Sequence, residues 1–209
     1  MSTPRQGCLL DLAAAPALGE LGGTVRRVHL THRAWVDVRP GWLAGADVVF
    51  DALLERVPWQ EQRRRMYDAV LDVPRLTRFY AEGEALPLRI LDQARAMLGT
   101  HYAALAEPFA TAGMCLYRDG RDSVAWHGDR IGRGATHDTM VAILSVGATR
   151  TLALRPRGGG ATALRVGLGH GDLLVMGGSC QRTWEHAVPK TAKPVGPRIS
   201  IQFHPPGVR

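Results

Sequence analysis

Short apolar runs, separated by Gly, Pro and Arg, fill the second half of this 209-residue chain. The six runs are residues 114–117, 140–146, 151–154, 163–166, 173–176 and 199–203. Runs of this length and spacing are typical of strands in an antiparallel barrel or jelly roll. Residues 155–160, with three consecutive glycines, favour a flexible hairpin turn and not a phosphate-binding loop, because no helix start follows them.

Two helices are predicted upstream of these strands. In 43–56, apolar residues recur at helical spacing until Pro58 ends the pattern, and a second such pattern covers 88–106. The expected fold class is therefore α+β and mainly β, with a jelly-roll core and N-terminal helices packed outside it. We interpret 1–209 as a single domain, divided into an N-terminal extension (1–39), a helical region (40–110) and a jelly-roll core (111–205).

Charge and composition limit the classes of partner. The formal net charge is +7 and the pI is near 10.0, which favours an anionic partner such as nucleic acid, although an arginine-rich composition alone would give the same charge. The three cysteines have no close spacing, so neither a disulfide framework nor a cysteine-based zinc site is indicated. No run approaches the ~20 apolar residues needed to span a bilayer. We therefore expect a cytoplasmic protein with no membrane partner.

His127-Gly128-Asp129 and the distant His186 form a candidate metal site. Residues i and i+2 of a strand point the same way, so His127 and Asp129 can present an imidazole and a carboxylate to one metal. A second histidine from another strand would complete a 2-His-1-carboxylate face with open positions. That ligand set is typical of non-heme Fe(II) oxygenases.

A second His-x-Asp sequence, His170-Gly171-Asp172, is the alternative pair. Its aspartate leads directly into the apolar run 173–176, which favours a polar turn that opens a buried strand. Using it for the metal would leave His127 and Asp129 without a role. We therefore prefer the 127/129 pair.

The last run alternates between two kinds of residue. Ile199, Ile201 and Phe203 would share one face of a strand, and Arg198, Ser200, Gln202 and His204 the other. A solvent-exposed polar face is one interpretation. The other is that Arg198 and Ser200 bind a carboxylate of an acidic co-substrate, since a planar guanidinium suits bidentate carboxylate binding.

Several ordered segments of the chain resemble the AlkB family of Fe(II)/2-oxoglutarate dioxygenases. The segment Leu116-Tyr117-Arg118-Asp119-Gly120-Arg121-Asp122-Ser123-Val124-Ala125-Trp126-His127-Gly128-Asp129 carries the strongest resemblance. The others are 57–59, 74–77, 144–150, 170–176, 184–190 and 197–203, so that the resemblance covers residues 40–205.

The resemblance implies a double-stranded β-helix with an N-terminal nucleotide-recognition region. It implies Fe(II) held by His127, Asp129 and His186, and 2-oxoglutarate held by Tyr117 and Arg198 with help from Ser200. With dioxygen, such enzymes remove N-alkyl groups from nucleobases of DNA or RNA, after the base has been taken out of its stack. The implied partner is alkylated DNA or RNA, single-stranded or with a flipped base, and the expected state is a monomer.

Three positions depart from the family pattern. Cys115 stands where the family often has an asparagine that contacts 2-oxoglutarate, and Ile131 stands near an expected acidic residue used for base recognition. His204 replaces a second arginine, and we expect it to bind the co-substrate as a donor when protonated. The change at Ile131 bears on substrate discrimination.

Substrate contacts are expected in 59–87. We assign Trp59 and Tyr80 to base stacking and Arg75, with Arg63–Arg65 and Arg78, to phosphate contacts; Ile131 completes the predicted substrate-binding set. The alternative is that the aromatic residues belong to the core and the arginines to a solvated face. Two other functions stay open: a 2-oxoglutarate-dependent hydroxylase or demethylase of a protein or small metabolite, and a non-catalytic nucleic-acid-binding relative.

Overall fold

A computed structural model describes residues 15–66, 69–105, 107–128 and 133–208, with backbone alone over 62–66 and 69–73. The helices in these ranges are α1 (Ala46–Arg56), α2 (Arg89–His101) and α3 (Cys180–Thr183). The strands are β1 (Ala17–Leu18), β2 (Arg26–His29), β3 (Trp35–Arg39), β4 (Leu43–Ala44), β5 (Gln60–Met66), β6 (Ala69–Tyr80), β7 (Thr111–Tyr117), β8 (Val124–His127), β9 (Val141–Gly147), β10 (Arg150–Pro156), β11 (Leu164–Leu168), β12 (Asp172–Gly177), β13 (Trp184–Val188) and β14 (Arg198–His204).

Both predicted helices are confirmed, each shorter than its apolar pattern. α1 begins at Ala46 because residues 43–44 pair with β1 and Gly45 takes a left-handed conformation with φ of 63°. α2 ends at His101, and residues 102–105 form a turn instead of the predicted last helical turn. None of the helices in the described part of the chain is long and apolar enough to cross a membrane.

An eight-stranded sheet, which we call the large sheet, has the order β2-β3-β12-β9-β14-β7-β6-β5. It contains four of the six predicted runs, as β7, β9, β12 and β14. It also contains β2 and β3, which belong to the segment predicted as an N-terminal extension; β3 pairs antiparallel with β12. Residues 26–39 are therefore an integral part of the core sheet.

A four-stranded sheet, which we call the small sheet, has the order β11-β10-β13-β8. The predicted runs 151–154 and 163–166 fall on β10 and β11, which pair antiparallel around the predicted hairpin turn. Gly158, Gly159 and Gly160 all have positive φ there, between 96° and 100°. β8 and β13 were not among the predicted apolar runs, yet they carry His127 and His186.

Two hydrophobic cores hold the helices and the two sheets together. The outer core joins the large sheet to α1 and α2, and includes Phe50, Leu53, Leu98, Ile201 and Phe203. The inner core joins the two sheets, and includes Val36, Ile143, Leu152, Leu154 and Met176. The mainly β prediction, with helices packed outside, is confirmed.

Candidate functional site

His127 and His186 meet across two neighbouring strands of the small sheet. They are direct partners in the antiparallel pairing of β8 and β13, and their ring centroids lie 4.1 Å apart with the ring planes at 53°. Nδ1 of His127 is 2.9 Å from the carbonyl oxygen of Ala125. That hydrogen bond requires the proton on Nδ1, which leaves the lone pair of Nε2 to bind a metal.

Gly128 fixes the course of the chain after His127. A Cβ at this position would lie 2.6 Å from the carbonyl oxygen of Trp184 and 3.0 Å from that of Gln181. Glycine is therefore required for β8 to approach β13 this closely. Asp129, the predicted third ligand, lies outside the described residues, as does Ile131.

The environment of His186 favours the neutral imidazole that metal binding requires. Burial holds the pKa of His186 well below its ordinary value, and His127 and then His204 lower it further. The pair thus satisfies two conditions for a metal site: the two imidazoles are adjacent, and Nε2 of His127 is a defined donor atom. The residues present fit a metal ion held by His127 and His186.

The inner side of the large sheet provides a row of polar residues opposite this pair. Facing residues on β14 and β7 are Arg198 with Tyr117, Ser200 with Cys115, Gln202 with Gly113, and His204 with Thr111. The predicted alternation along β14 is confirmed, since Ile199, Ile201 and Phe203 are fully buried in the outer core. The polar face is not a solvated edge, because Arg198 and Ser200 are only 1% and 3% exposed.

Arg198 has the properties expected of a carboxylate-binding residue. Its Nε donates to Ser145 Oγ at 2.8 Å, while Nη1 is buried and has no hydrogen-bond partner among the described residues. A buried N–H group without an acceptor costs roughly 1–3 kcal/mol. An acidic ligand at Nη1 would remove that cost, so the site fits the distal carboxylate of 2-oxoglutarate.

Tyr117 lies beside this guanidinium. The Arg198 Cζ is 5.3 Å from the Tyr117 ring centroid, and Arg150 Cζ is 5.6 Å from it. Burial, more than the charge of any neighbour, raises the pKa of Tyr117, so its hydroxyl stays protonated and can donate. Ser200 is held differently, because its Oγ accepts a hydrogen bond from Gln202 Nε2 at 2.5 Å.

His204 does not carry the charge expected from its sequence position. Burial lowers the pKa of His204 to about 4, because the charged ring would lose its hydration. The ring is therefore uncharged at neutral pH, and donation as an imidazolium would require acidic pH. A contact between its neutral ring and the co-substrate stays a prediction.

The residues predicted to bind the substrate occupy different environments. Tyr80 is 5% exposed in the outer core, with the Arg78 guanidinium 4.6 Å from its ring centroid, so it cannot stack on a base. Trp59 is half-buried and packs against the same core. Arg75 Nη1 donates to the carbonyl oxygen of Ser123 at 3.2 Å. The Arg63–Arg65 side chains lie outside the described part of the chain.

The second His-x-Asp sequence forms the structural turn predicted for it. His170 Nδ1 accepts from Gly147 N at 2.8 Å, and the Asp172 carboxylate accepts from Gly41 N and Gly169 N at 2.8 and 2.7 Å. Gly171 has φ of 82° and passes close to Leu43. The His170 and Asp172 side chains thus hold the backbone at Gly41, Gly147 and Gly169 against the turn that leads into β12.

Arg150 is a residue of the site that the sequence reasoning did not assign. It is 3% exposed, and its guanidinium donates to the carbonyl oxygens of Asp119, Asp122 and Pro189 at 2.8–2.9 Å. It thereby fixes the loop between β7 and β8 beside Tyr117. Its signals in the sequence were an arginine at the start of an apolar run and a place at the end of the resemblance segment 144–150, and neither identifies such a role.

Comparison with a protein-family profile matches residues 55–203, more than half of the chain, to the 2OG-Fe(II) oxygenase superfamily. The match extends from the end of α1 to Phe203 in β14. It therefore includes His127, His186, Tyr117, Arg150 and Arg198, and ends one residue before His204.

Three curated proteins illustrate the similarity. Alpha-ketoglutarate-dependent dioxygenase alkB homolog 3 of Bos taurus is 33% identical over 78% of this chain and 63% of its own length. The human protein of the same name is 31% identical over 86% of this chain and 66% of its own length. DNA oxidative demethylase ALKBH2 of Arabidopsis thaliana is 28% identical over 74% of this chain and 60% of its own length. The chain spans less than two thirds of each of these relatives.

Two solved structures share the fold. The structure of OsALKBH1 superposes with a TM-score of 0.63 and 14% identity, covering 86% of this chain and 100% of that one. An oxidoreductase of the 2OG-Fe(II) oxygenase family from Burkholderia pseudomallei gives a TM-score of 0.54 and 14% identity, covering 81% of this chain and 84% of that one. Both support the jelly-roll architecture predicted from the sequence.

Proposed function

The chain belongs to the 2OG-Fe(II) oxygenase superfamily and, within it, to the AlkB family, and we propose that it oxidatively removes N-alkyl groups from nucleobases in DNA or RNA. The observation that carries the proposal is the arrangement of two groups on facing sheets. His127 and His186 form an imidazole pair on the small sheet, and Arg198 presents a buried, unsatisfied N–H group on the large sheet.

Each residue has a defined task in this proposal. His127 and His186 bind the metal, with Asp129 as the predicted third ligand, and Arg198 holds the distal carboxylate of 2-oxoglutarate. Tyr117 orients the co-substrate through its protonated hydroxyl. When bound, Fe(II) and 2-oxoglutarate would supply the means to activate dioxygen, which is the oxidant: one oxygen atom would enter succinate as 2-oxoglutarate loses carbon dioxide, and the other would hydroxylate the alkyl carbon.

The residues around Arg198 exclude water from this end of the cavity. Arg198, Tyr117, Arg150 and Ser145 are all at most 3% exposed. In a water-poor site, the guanidinium attracts a carboxylate more strongly than it would at the surface. A bidentate guanidinium also fixes the orientation of the co-substrate, which brings its reactive end toward the imidazole pair.

The substrate class is inferred from charge and from the relatives. The formal net charge of +7 favours a polyanion, and the Arabidopsis relative is named a DNA oxidative demethylase. We propose alkylated DNA or RNA as the partner, bound as a single strand or with the base flipped out. We also propose that the protein acts as a monomer in the cytoplasm.

Mass spectrometry of methylated oligonucleotides tests the function. Single-stranded DNA and RNA, each carrying one N-methylated base, are incubated with the protein, Fe(II) and 2-oxoglutarate, and we expect the base to lose one methylene in mass as succinate forms. His127→Ala should abolish both products, because the imidazole pair is broken. Succinate formation with a methylated peptide or small amine, and unchanged oligonucleotides, would instead support the protein or metabolite hydroxylase.

A further inference from the structure

We propose that Arg155 is a positioning residue of the metal site, which holds the strands of the two histidines in register from the outer face of the small sheet. Its guanidinium contacts the residue that precedes each histidine in the chain, Glu185 and Trp126. We call Arg155, Glu185 and Trp126 the clamp. The inference rests on the proposed function, since it concerns how the same pair, His127 and His186, is held.

The backbone pairing of β8 is short and irregular. β8 has four residues, lies at the edge of the small sheet and, among the described strands, pairs with β13 alone. His127 faces His186 and Val124 faces Val188, so three steps along β8 match two steps along β13. A slip of one residue would turn His127 to the opposite face of the sheet. Contacts between side chains are therefore expected to help fix the register of β8.

Alternation along the strands places Glu185 and Arg155 on the outer face of the small sheet. His186 pairs with Leu154, which belongs to the inner core between the two sheets. Successive residues of a strand point to opposite faces, so Glu185 points away from the large sheet. Its partner in the strand pairing is Arg155 of β10. Because β10, β13 and β8 are consecutive strands, a long side chain on β10 can reach β8 across β13.

One guanidinium makes both contacts of the clamp. Nε of Arg155 donates to Glu185 Oε2 at 2.9 Å, and Nη2 is 2.9 Å from the same oxygen. The Cζ atom of Arg155 lies 4.4 Å from the centroid of the Trp126 ring, within the range of a cation–π interaction. The planar group thus joins β10, β13 and β8 on one face. Each side chain that it holds is one residue before a histidine of the opposite face, so the clamp acts on the separation of the two imidazoles.

The contacts of the clamp are partly removed from water. Glu185 is 6% exposed, and the side chain of Arg155 is 23% exposed. A buried carboxylate requires a charged or hydrogen-bonding partner, and a cation–π contact is stronger when the cation has lost part of its hydration. The surface ion pair of Arg121 and Asp119 is different, because the Arg121 side chain is almost fully exposed and water competes for it. The clamp can therefore constrain the strands in a way that a surface ion pair cannot.

Charge and position have opposite effects on metal binding at this place. The positive charge of Arg155, one strand away from the imidazole pair, repels a metal cation, and the carboxylate of Glu185 offsets part of that repulsion. Removing the charge of Arg155 should by itself tighten metal binding. Releasing β8 from β13 should weaken it, because residues that orient metal ligands commonly contribute to metal affinity. The sign of the change in affinity therefore tells the two effects apart.

Equilibrium titration with Co(II), used in place of Fe(II) and without 2-oxoglutarate, measures that change. Arg155→Met removes the guanidinium and keeps a long side chain. The dissociation constant of Co(II) should rise roughly 10-fold, and the visible absorption of bound Co(II) should change, because His127 is no longer held beside His186. Arg155→Lys, which keeps the cation near Trp126 and one donor for Glu185, should restore part of the affinity although it also restores the charge.

The melting temperature of each metal-free protein is measured in parallel, and the titration is run well below it, so that a general loss of stability does not affect the constant. Arg165→Met is the matched control. Arg165 is an exposed arginine of β11 that pairs with Ala153, two residues before Arg155, and therefore lies on the same face of the small sheet. Its replacement should leave the dissociation constant of Co(II) unchanged.

His127→Ala separates the clamp from the metal site itself, since it removes a proposed ligand and should abolish Co(II) binding at the site. If the natural protein binds Co(II) and Arg155→Met binds it equally well or more tightly, the clamp does not position the imidazole pair. If His127→Ala binds Co(II) as tightly as the natural protein, the metal site is wrong, and with it the proposed function.

Discussion

Arg198 combines nearly complete burial with an incomplete set of hydrogen bonds. The neighbouring Ser145 hydroxyl accepts from Nε, but Nη1 has no acceptor within the described residues. Buried guanidinium groups are ordinarily paired, because an unpaired buried charge is costly. The unsatisfied donor is therefore best explained by a ligand that the site is built to bind.

Replacing Arg198 should weaken the co-substrate specifically. A charge-assisted hydrogen bond contributes about 1.5–3 kcal/mol, so Arg198→Ala should raise the dissociation constant of 2-oxoglutarate roughly 10- to 150-fold. Arg198→Lys should restore only part of the affinity, because the two-pronged guanidinium geometry is lost. Equilibrium titration with 2-oxoglutarate measures the dissociation constant of each variant. Arg165→Ala, which removes an exposed guanidinium on β11, is the control and should leave the constant unchanged. An unchanged constant in Arg198→Ala would place the carboxylate elsewhere.

His204 makes a testable contribution to acid sensitivity. Its pKa is about 4 in the folded protein and about 6.5 in an unfolded chain, so the unfolded state binds the additional proton first as the pH falls. Stability therefore decreases from pH near 6.5 down to about 4, by up to ~1.4 kcal/mol per pH unit, and levels off below that range. Above pH 6.5 this histidine contributes no pH dependence.

His204→Asn should remove this part of the pH dependence. Urea denaturation of the natural protein and the variant, compared at pH 7 and pH 5, measures the difference in unfolding free energy at each pH. We expect the variant to lose less stability between the two values, since its amide does not titrate. Equal losses in both proteins would show that His204 is already solvated in the folded state.

At the scale of elements, the turn before β12 depends on one glycine. Gly171 has φ of 82°, and a Cβ there would lie 2.3 Å from the carbonyl oxygen of Leu43, which is backbone and cannot rotate away. Gly171→Ala should therefore cost more than the ~1–3 kcal/mol typical of a strained backbone alone. Thermal denaturation should show a melting temperature lower by several degrees, at about 2–4 °C per kcal/mol.

Two other glycines serve as controls for that measurement. Gly158→Ala meets the same backbone strain, with φ of 96°, but no described residue lies within 4 Å of the added atom. Gly22→Ala meets no such strain, and it too has no neighbour within 4 Å in the described part of the chain. The three variants should rank in stability as Gly22→Ala, then Gly158→Ala, then Gly171→Ala. A different order would mean that the approach of Leu43 to the turn does not limit this position.

The strands that appear in the sequence as apolar runs differ in burial and sheet position from the strands that do not. β9 and β12 lie between other strands with both faces covered, so they appear as continuous apolar runs. β5 is an edge strand of mostly polar residues, and β6 contains Pro74, so neither has an apolar pattern. β8 has only four residues and β13 contains Glu185 and His186.

The same reasoning explains which site residues were predictable. His127 and His186 were assigned from spacing and family resemblance, and Arg198 from the alternation of the last strand. Tyr80 was predicted to stack on a base, yet it faces the outer core, because the side of the sheet that it faces depends on register with β7, which no local pattern encodes. The charge state of His204 depends on burial by distant residues.

At the scale of the whole molecule, the charge of +7 should make nucleic-acid binding sensitive to salt. Each phosphate contact with a single strand contributes about −0.7 to the slope of log affinity against log salt concentration. Four contacts would therefore give a slope of roughly −3. Titration of a fluorescent single-stranded oligonucleotide at several salt concentrations measures this slope directly.

Substitutions on β5 identify which arginines contribute to that slope. β5 is the edge strand of the large sheet and pairs with β6, and it carries Arg63, Arg64 and Arg65. Replacing all three by Gln should reduce the magnitude of the slope by about 2 if each contacts a phosphate. Arg121→Gln is the control, because its guanidinium is exposed and already pairs with Asp119 at 2.7 Å. Weak binding that responds neither to salt nor to the β5 substitutions would exclude a polyanionic partner, and the substrate would then be sought among proteins and small metabolites.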